Sequence, residues 1–286
     1  MKKILVQLDN DKFPSVFDAI TAYDAGVEHL LQYGDITPPQ VRDLVYGAMF
    51  TRGGDELKNS AVFVGGSDVT AGEKILKEVV DSFFGPVRVS AMLDSNGCNT
   101  TAVAAVRKML SVDEVSGKKI VILAGTGPVG MRAAGLLALE GADVILTSRN
   151  LEKSEKAAAI VAARFKCDIS AAKVSSLEET KEILTDAFAV LCAGAAGTML
   201  LPEAMWAENS TLRVLADVNA VPPLGIEKTK PHWNGKEVAG KTIFGALSIG
   251  GLKMDIHRKC VSQLFSRNDL LLDAEEIYDI AKSIDK

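Results

Sequence analysis

The chain has 286 residues, 48% of them hydrophobic, and a formal net charge of -5. That length suits two α/β domains with ample core, and the negative balance with no long Lys/Arg cluster excludes a nucleic-acid surface. No apolar segment approaches the roughly 20 residues that span a bilayer, and the apolar start at Met1 stops at Gln7 and Asp9, too early for a signal peptide.

In chain order, residues 3–8 read as a strand. Residues 15–31 read as a helix with Val16, Ile20, Tyr23, Val27, Leu30 and Leu31 at helical spacing and Asp18 and Asp24 on other positions. The turn Gly34-Asp35-Ile36-Thr37-Pro38-Pro39 leads into a helix through Val41, Leu44, Val45 and Ala48. Residues 61–64 form a buried strand whose exit, Gly65-Gly66, competes as a phosphate loop. Its spacing is wrong and Asp68 sits where phosphate would go, so a plain strand-to-helix turn is preferred. A helix over 69–82 and a strand over 87–92 follow.

That strand ends in Asp94-Ser95-Asn96-Gly97-Cys98-Asn99-Thr100-Thr101. A helix needs one capping residue, and the surplus of hydrogen-bonding side chains at a strand's carboxyl end points to ligand contact. Asp94, Asn96, Asn99 and Thr100 are therefore candidate substrate ligands. Residues 112–118, polar and carrying Gly117, read as a hinge.

The stretch 119–124 is a buried parallel strand, and Gly125-Thr126-Gly127-Pro128-Val129-Gly130 turns it into an Ala/Leu-rich helix. In this G-x-G-x-x-G, Gly125 permits the tight turn, Gly127 admits a pyrophosphate and Gly130 lets helix and strand pack closely. Pro128 suits the first helical position. The next strand, 143–147, leads into Ser148, Arg149 and Asn150, where an NAD enzyme usually carries an acid for the ribose 2′-hydroxyl. Hydroxyl and guanidinium groups instead suit a 2′-phosphate, so the cofactor is expected to be NADP. The bland alternative makes Ser148 a helix cap and Arg149 a surface charge.

A helix over 151–165, a strand near 169–174, a helix over 177–184 and a strand over 188–192 continue a Rossmann-type domain. Ala193 and Gly194 begin a run of small residues through Gly197 that would let the chain pass a nicotinamide ribose. A strand over 212–216 ends in Asp217-Val218-Asn219 and a rigid loop around Pro222-Pro223. Asp217 and Asn219 either bond a carboxamide or substrate ring, or serve the turn itself. After a loop over 227–241, a strand over 242–244 meets Gly245, a helix runs over 252–265, and an amphipathic tail helix covers 273–284. Lys253 and His257 lie four apart on one helix face. Cys98, Cys167, Cys192 and Cys260 have no metal or disulfide spacing, so no metal is expected and a reducing cytoplasm fits.

The segments Met92-Leu-Asp-Ser-Asn-Gly97, Leu123-Ala-Gly-Thr-Gly-Pro-Val-Gly-Met-Arg132, Asp217-Val-Asn-Ala-Val-Pro-Pro-Leu-Gly225 and Phe244-Gly-Ala-Leu-Ser-Ile-Gly-Gly-Leu-Lys253 carry a resemblance. Together with Pro14-Ser-Val-Phe-Asp18 and Ala274-Glu-Glu-Ile-Tyr278, they resemble the NADP-dependent methylene-tetrahydromethanopterin dehydrogenases of methylotrophic bacteria over nearly the whole chain. The resemblance implies hydride transfer from a methylene-pterin to NADP+, with methylene-tetrahydrofolate used by some members. It also implies a homo-oligomer, a trimer being one option. The expected domains are a pterin domain of 1–112 and 250–286 and an NADP domain of 113–249, the C-terminal helices returning to the first.

On this reading the reaction needs no acid/base pair, because nitrogen lone pairs expel the hydride. The protein holds the reacting carbons at roughly 3–3.5 Å and excludes water. Lys253, Asp18 and Tyr23 are the residues expected at the reacting end, Lys253 orienting the pterin ring by hydrogen bonding, with His257 on the substrate side. Folate enzymes that also hydrolyse the methenyl group use a tyrosine and a lysine four apart. Tyr23 is followed at that spacing by Val27, so no cyclohydrolase activity is expected. The rivals are a shikimate-type dehydrogenase, which needs a Lys/Asp acid-base pair not evident here, and a non-enzymatic NADP sensor.

Overall fold

The computed structural model describes residues 1–284. Its contacts divide them into two units, Met1–Thr100 with Met254–Ile284, and Thr101–Lys253.

The first unit begins with β1 (Ile4–Leu8) and α1 (Val16–Asp24), whose Ser15 hydroxyl accepts from the Asp18 amide. The helix expected to run to residue 31 stops here, because Gly26 turns left-handed at φ 89°. His29–Tyr33 is β2, a parallel edge strand beside β1. Leu30 and Leu31 lie at helical distance from Val27, but they sit after a glycine stop, where a period-two pattern takes over. Next come α2 (Pro38–Phe50), β3 (Ser60–Val64) and α3 (Val69–Asp81). Asp68 caps α3 by accepting from Ala71, so the Gly65-Gly66 exit is the plain turn expected. β4 (Ser90–Leu93) starts three residues later than expected, since Phe84 and Val87 pair with each other first.

α4 (Cys98–Leu110) carries the chain into the second unit, so the crossing lies within a helix, and residues 112–118 lead into β5 (Lys119–Leu123). The second unit continues with α5 (Pro128–Leu139), β6 (Asp143–Ser148), α6 (Leu151–Phe165), β7 (Ser170–Lys173), α7 (Leu177–Ile183) and β8 (Ala189–Cys192). It closes with α8 (Glu203–Trp206), β9 (Val214–Asp217), β10 (Asn234–Val238) and β11 (Lys241–Phe244). β10 falls in the stretch expected to be loop: it is an antiparallel edge strand on β11, with polar residues because most of it faces water. α9 (Ala246–Gln263) starts six residues earlier than expected, the glycines Gly250 and Gly251 lying inside it. β12 (Leu271–Leu272) and α10 (Ala274–Ala281) return to the first unit, as expected of the C-terminal segments.

The first sheet has the order β12-β4-β3-β1-β2 and the second β10-β11-β9-β8-β5-β6-β7. All pairings are parallel except β10 with β11. In each sheet the order reverses beside its first strand, between β1 and β3 and between β5 and β8, and ligands of open α/β sheets bind at the carboxyl ends of such strands.

Candidate functional site

In the second unit the glycine loop joins β5 to α5. Ala124 takes the left-handed turn (φ 52°), so the tight turn falls one residue before the expected Gly125. Gly125 is fixed by crowding instead: a Cβ there would lie 2.4 Å from Leu146 Cδ2. At Gly130 a Cβ would meet the Gly125 carbonyl oxygen at 2.4 Å, so this glycine lets α5 close on the loop. Gly127 is different, with nothing within 4 Å of a Cβ. It is the N-cap of α5 with no side-chain cap, Pro128 following. The loop with Thr126 and Val129 thus leaves an open cradle at uncapped helix amides, which fits a dinucleotide pyrophosphate.

Thr147, at the end of the strand that leads to the expected 2′-phosphate residues, turns back and ties the loop to β6: its hydroxyl donates to the Ile122 carbonyl (3.0 Å) and accepts from the Ala124 amide (3.2 Å). Beyond it the carboxyl end of β6 presents no acid. Asn150 is the cap of α6, accepting from Lys153 at 3.1 Å, which leaves half-buried Ser148 and exposed Arg149 for a 2′-phosphate. The cap is therefore Asn150 and not Ser148, whose hydroxyl accepts from the Asn150 amide at 3.3 Å.

The loops after β8 and β9 are joined by Asn219. Its Oδ1 accepts from Gly197 (3.3 Å) and Val221 (2.9 Å), and its Nδ2 donates to the Pro223 carbonyl (3.0 Å). Ala193 and Gly194 are half-buried at the start of the first loop. Asp217 turns inward, accepting from the Asn219 and Ile226 amides, and Gly225 passes so close that a Cβ would lie 2.6 Å from Oδ1. Burial pushes the Asp217 carboxyl up against the pull of those amides. Asp217 and Asn219 thus spend their polar atoms on shaping the loop.

In the first unit, the carboxyl ends of β1, β3 and β4 carry a polar edge. Sequence reasoning missed its first part, Asp9-Asn10-Asp11, although three polar residues directly after an apolar strand are its signal. Buried Asp9 accepts from the Asp11 amide (2.9 Å) and the Ser15 amide (3.0 Å). Asn10 donates to the Gly65 and Asp68 carbonyls, and Asp11 accepts from the Ser67 amide and hydroxyl, so the β1 and β3 exits are locked together. A Cβ on Gly65 would lie 3.2 Å from Asp9 Oδ2 and 3.4 Å from Asp18 Oδ2, so both carboxylates converge on this glycine at the strand-order reversal.

At the β4 exit, Asp94 is buried. Its Oδ1 accepts from the Asn99 and Thr100 amides (3.0 Å each) and its Oδ2 from the Thr100 hydroxyl (2.6 Å). Asn99 donates to the Leu93 carbonyl and to Asp273. His257 Nδ1 lies 3.6 Å from Asp94 Oδ2, and its ring stacks on Phe63 with centroids 5.4 Å apart. Burial, and next the Asp94 charge, push the Cys260 thiol up. Asp94, Asn99, Thr100 and His257 therefore form one buried network, while Asn96 is exposed in the left-handed region (φ 53°). Lys253 is half-buried one turn before His257 on α9. Tyr23 is exposed on α1, about 140° around the helix from Asp18.

Residues 16–96 match the model of the methylene-tetrahydromethanopterin dehydrogenase N-terminal domain. The chain is 49% identical over 285 residues to the "Bifunctional protein MdtA" of Methylorubrum extorquens, covering 99% of each. It is 31% identical over 298 aligned positions to the NAD(P)-dependent methylenetetrahydromethanopterin dehydrogenase of the same organism, again covering 99% of each. Among solved structures, shikimate 5-dehydrogenase from Listeria monocytogenes shares the fold at TM-score 0.54 and 14% identity, over 98% of this chain and 96% of that one. Quinate dehydrogenase from Corynebacterium glutamicum does so at TM-score 0.54 and 12% identity, over 99% of each. Likeness at that identity speaks for architecture alone, whereas the full-length relatives speak for descent. The chain belongs to the methylene-tetrahydromethanopterin dehydrogenase family.

Proposed function

We propose that this enzyme oxidises the methylene group of methylene-tetrahydromethanopterin to the methenyl form, with methylene-tetrahydrofolate as a second substrate, in one-carbon metabolism. The observation that carries this is the 49% identity over 99% of both chains to a member of the family, joined to a glycine loop whose neighbouring strand ends without an acid. NADP+, when bound, supplies the hydride acceptor. Gly125 to Gly130 would hold its pyrophosphate, Ser148 and Arg149 its 2′-phosphate, and the loops that Asn219 joins would shape the nicotinamide end.

On the pterin side, lone pairs on the two nitrogens flanking the methylene carbon expel the hydride, and the product is a delocalised amidinium-type cation. No proton moves, so the residues bind and orient. Asp18 beside Gly65 is suited to accept N–H donors of the ring, and it adds with Asp9 a negative field that favours the developing cation. Lys253 contacts a ring carbonyl. Asp94 keeps Thr100 and His257 in place, and Asn96 and Tyr23 are outer contacts. The chain works as a homo-oligomer in the cytoplasm. Among the described residues no helix is long and apolar enough to cross a membrane.

The test is NADPH absorbance with purified protein, NADP+ and each methylene-pterin, repeated with NAD+. Reduction of NADP+ by the methanopterin substrate is expected. NADP+ binding without turnover on either pterin would leave only a cofactor-binding protein. Isolated methenyl substrate should not be hydrolysed to the formyl form, since no lysine stands four residues after Tyr23.

A further inference from the structure

The amino ends of the strands in the second sheet lie opposite the glycine loop, and they border a cavity of about 310 Å3. Its lining comes from residues that open neighbouring strands: Lys118 before β5, Phe188 before β8, Arg213 before β9 and Thr242 in β11. The volume falls at the lower end of small-molecule sites, roughly 300–1,000 Å3. None of these residues belongs to the cofactor site, whose loops leave the carboxyl ends of the same sheet.

Positive charge is gathered here without a counter-ion. Asp113 is the acidic residue of the lining and is bonded to Lys118 at 2.6 Å, while the Lys118 ammonium also lies 4.2 Å from the centre of the Phe188 ring. The exposed Arg213 guanidinium makes no hydrogen bond or ion pair among the described residues. Its charge is felt by Lys241, buried at the start of β11, whose Nζ donates to the Ala207 and Ala239 carbonyls (2.9 and 2.8 Å). Burial, and next the Arg213 charge, push the Lys241 ammonium down. Two cations therefore press on each other, neither paired with a carboxylate, in a chain whose net charge is -5. A dissolved anion relieves that arrangement, and positive potential in a cleft concentrates such ions.

The lining also describes the anion. Against two positive charges a phosphate monoester is the better match than a carboxylate, because it carries about two negative charges at pH 7 and fits the planar guanidinium fork. Thr211 and Thr242 direct their hydroxyl protons to Asn209 and Glu237, so they offer lone pairs to hydroxyl donors on a ligand. Half-buried Phe188 offers an apolar surface to a carbon frame.

We propose that this cavity binds a hydroxylated phosphate monoester of the sugar-phosphate class, its phosphate on Arg213 and its carbon frame against Phe188. Cofactor and sugar phosphate then occupy opposite edges of one sheet and do not compete.

The test is calorimetric titration of ribose 5-phosphate and of glucose 6-phosphate into the full chain saturated with NADP+, which keeps both probes off the glycine loop and Arg149. At least one of the two should bind one to one and more tightly than inorganic phosphate, and ribose and glucose should not bind. Arg213→Gln should weaken that binding about 10-fold or more and leave the NADP+ Kd unchanged. Its Tm without ligand should be no lower than that of wild type, because Arg213 has no partner to lose and Lys241 is relieved of a like charge. Arg213→Lys, which keeps the charge and loses the fork, should restore part of the affinity. No binding of either sugar phosphate, an affinity no better than that of inorganic phosphate, or wild-type affinity in Arg213→Gln would each overturn the site.

Discussion

Gly127 and Gly130 stand three residues apart in one motif, yet a methyl group should act on them in opposite ways. Gly127→Ala meets no atom within 4 Å, so the protein should fold normally. The methyl would fill the cradle and weaken NADP+ binding by at least ~10-fold, about 1.4 kcal/mol. Gly130→Ala drives the methyl against the Gly125 carbonyl oxygen at 2.4 Å and should cost about 1–3 kcal/mol of stability. Calorimetric NADP+ titration and denaturant unfolding of the two variants separate the effects. Arg149 belongs at the same scale. Its replacement by Ala removes a charge-assisted bond worth about 1.5–3 kcal/mol, so the NADP+ Kd should rise roughly 10- to 100-fold while the NAD+ Kd stays in place. Equal losses for both cofactors would take Arg149 off the 2′-phosphate.

At the scale of elements, α7 carries a sharp pH handle. The Ser175 hydroxyl and amide, and then Lys173, hold the Glu179 carboxyl down at about 2, against an ordinary value of 4.5. Glu179 also completes a capping box with Ser176. A depressed folded pKa means that this contribution is fully present above about 4.5 and is lost as pH falls toward about 2. Glu179→Gln should therefore be less stable than wild type at pH 7, and the gap in urea midpoint should narrow steadily below pH 4.5. A gap that stays constant with pH would remove the ionised cap as its cause. This capping box lay within reach of the sequence, as did the strand-glycine-helix of β5 and α5, because local chemistry decides both. β2 was hidden because Leu30 and Leu31 continue a helical spacing that only the left-handed Gly26 interrupts, and β10 because an edge strand facing water carries no apolar period. The inward turn of Asp94 and Asp217 was hidden for another reason: an Asp at a strand exit looks the same whether it meets a ligand or the backbone amides of its own loop.

At the scale of the whole molecule, the carboxylates of Asp9 and Asp18 converge on Gly65 at the β1 and β3 exits. Shikimate-type enzymes share this architecture and must move a hydroxyl proton together with the hydride, whereas oxidation of a methylene between two nitrogens moves only the hydride. The two chemistries differ in what solvent deuterium does. With methylene-pterin and NADP+, kcat in D2O should match kcat in H2O once viscosity is balanced with glycerol. Deuterium on the methylene carbon should slow the single-turnover step, because the C–H bond is the one that breaks. A solvent effect without a carbon-deuterium effect would put a proton transfer in the limiting step and require an acid or base at the site. The buried Asp94–His257 pair is the group to which such a result would point, since its imidazole lies 3.6 Å from a carboxylate oxygen. The expected pattern leaves that pair a holding role, and His257→Gln should then change KM for the pterin more than the isotope effect on the chemical step.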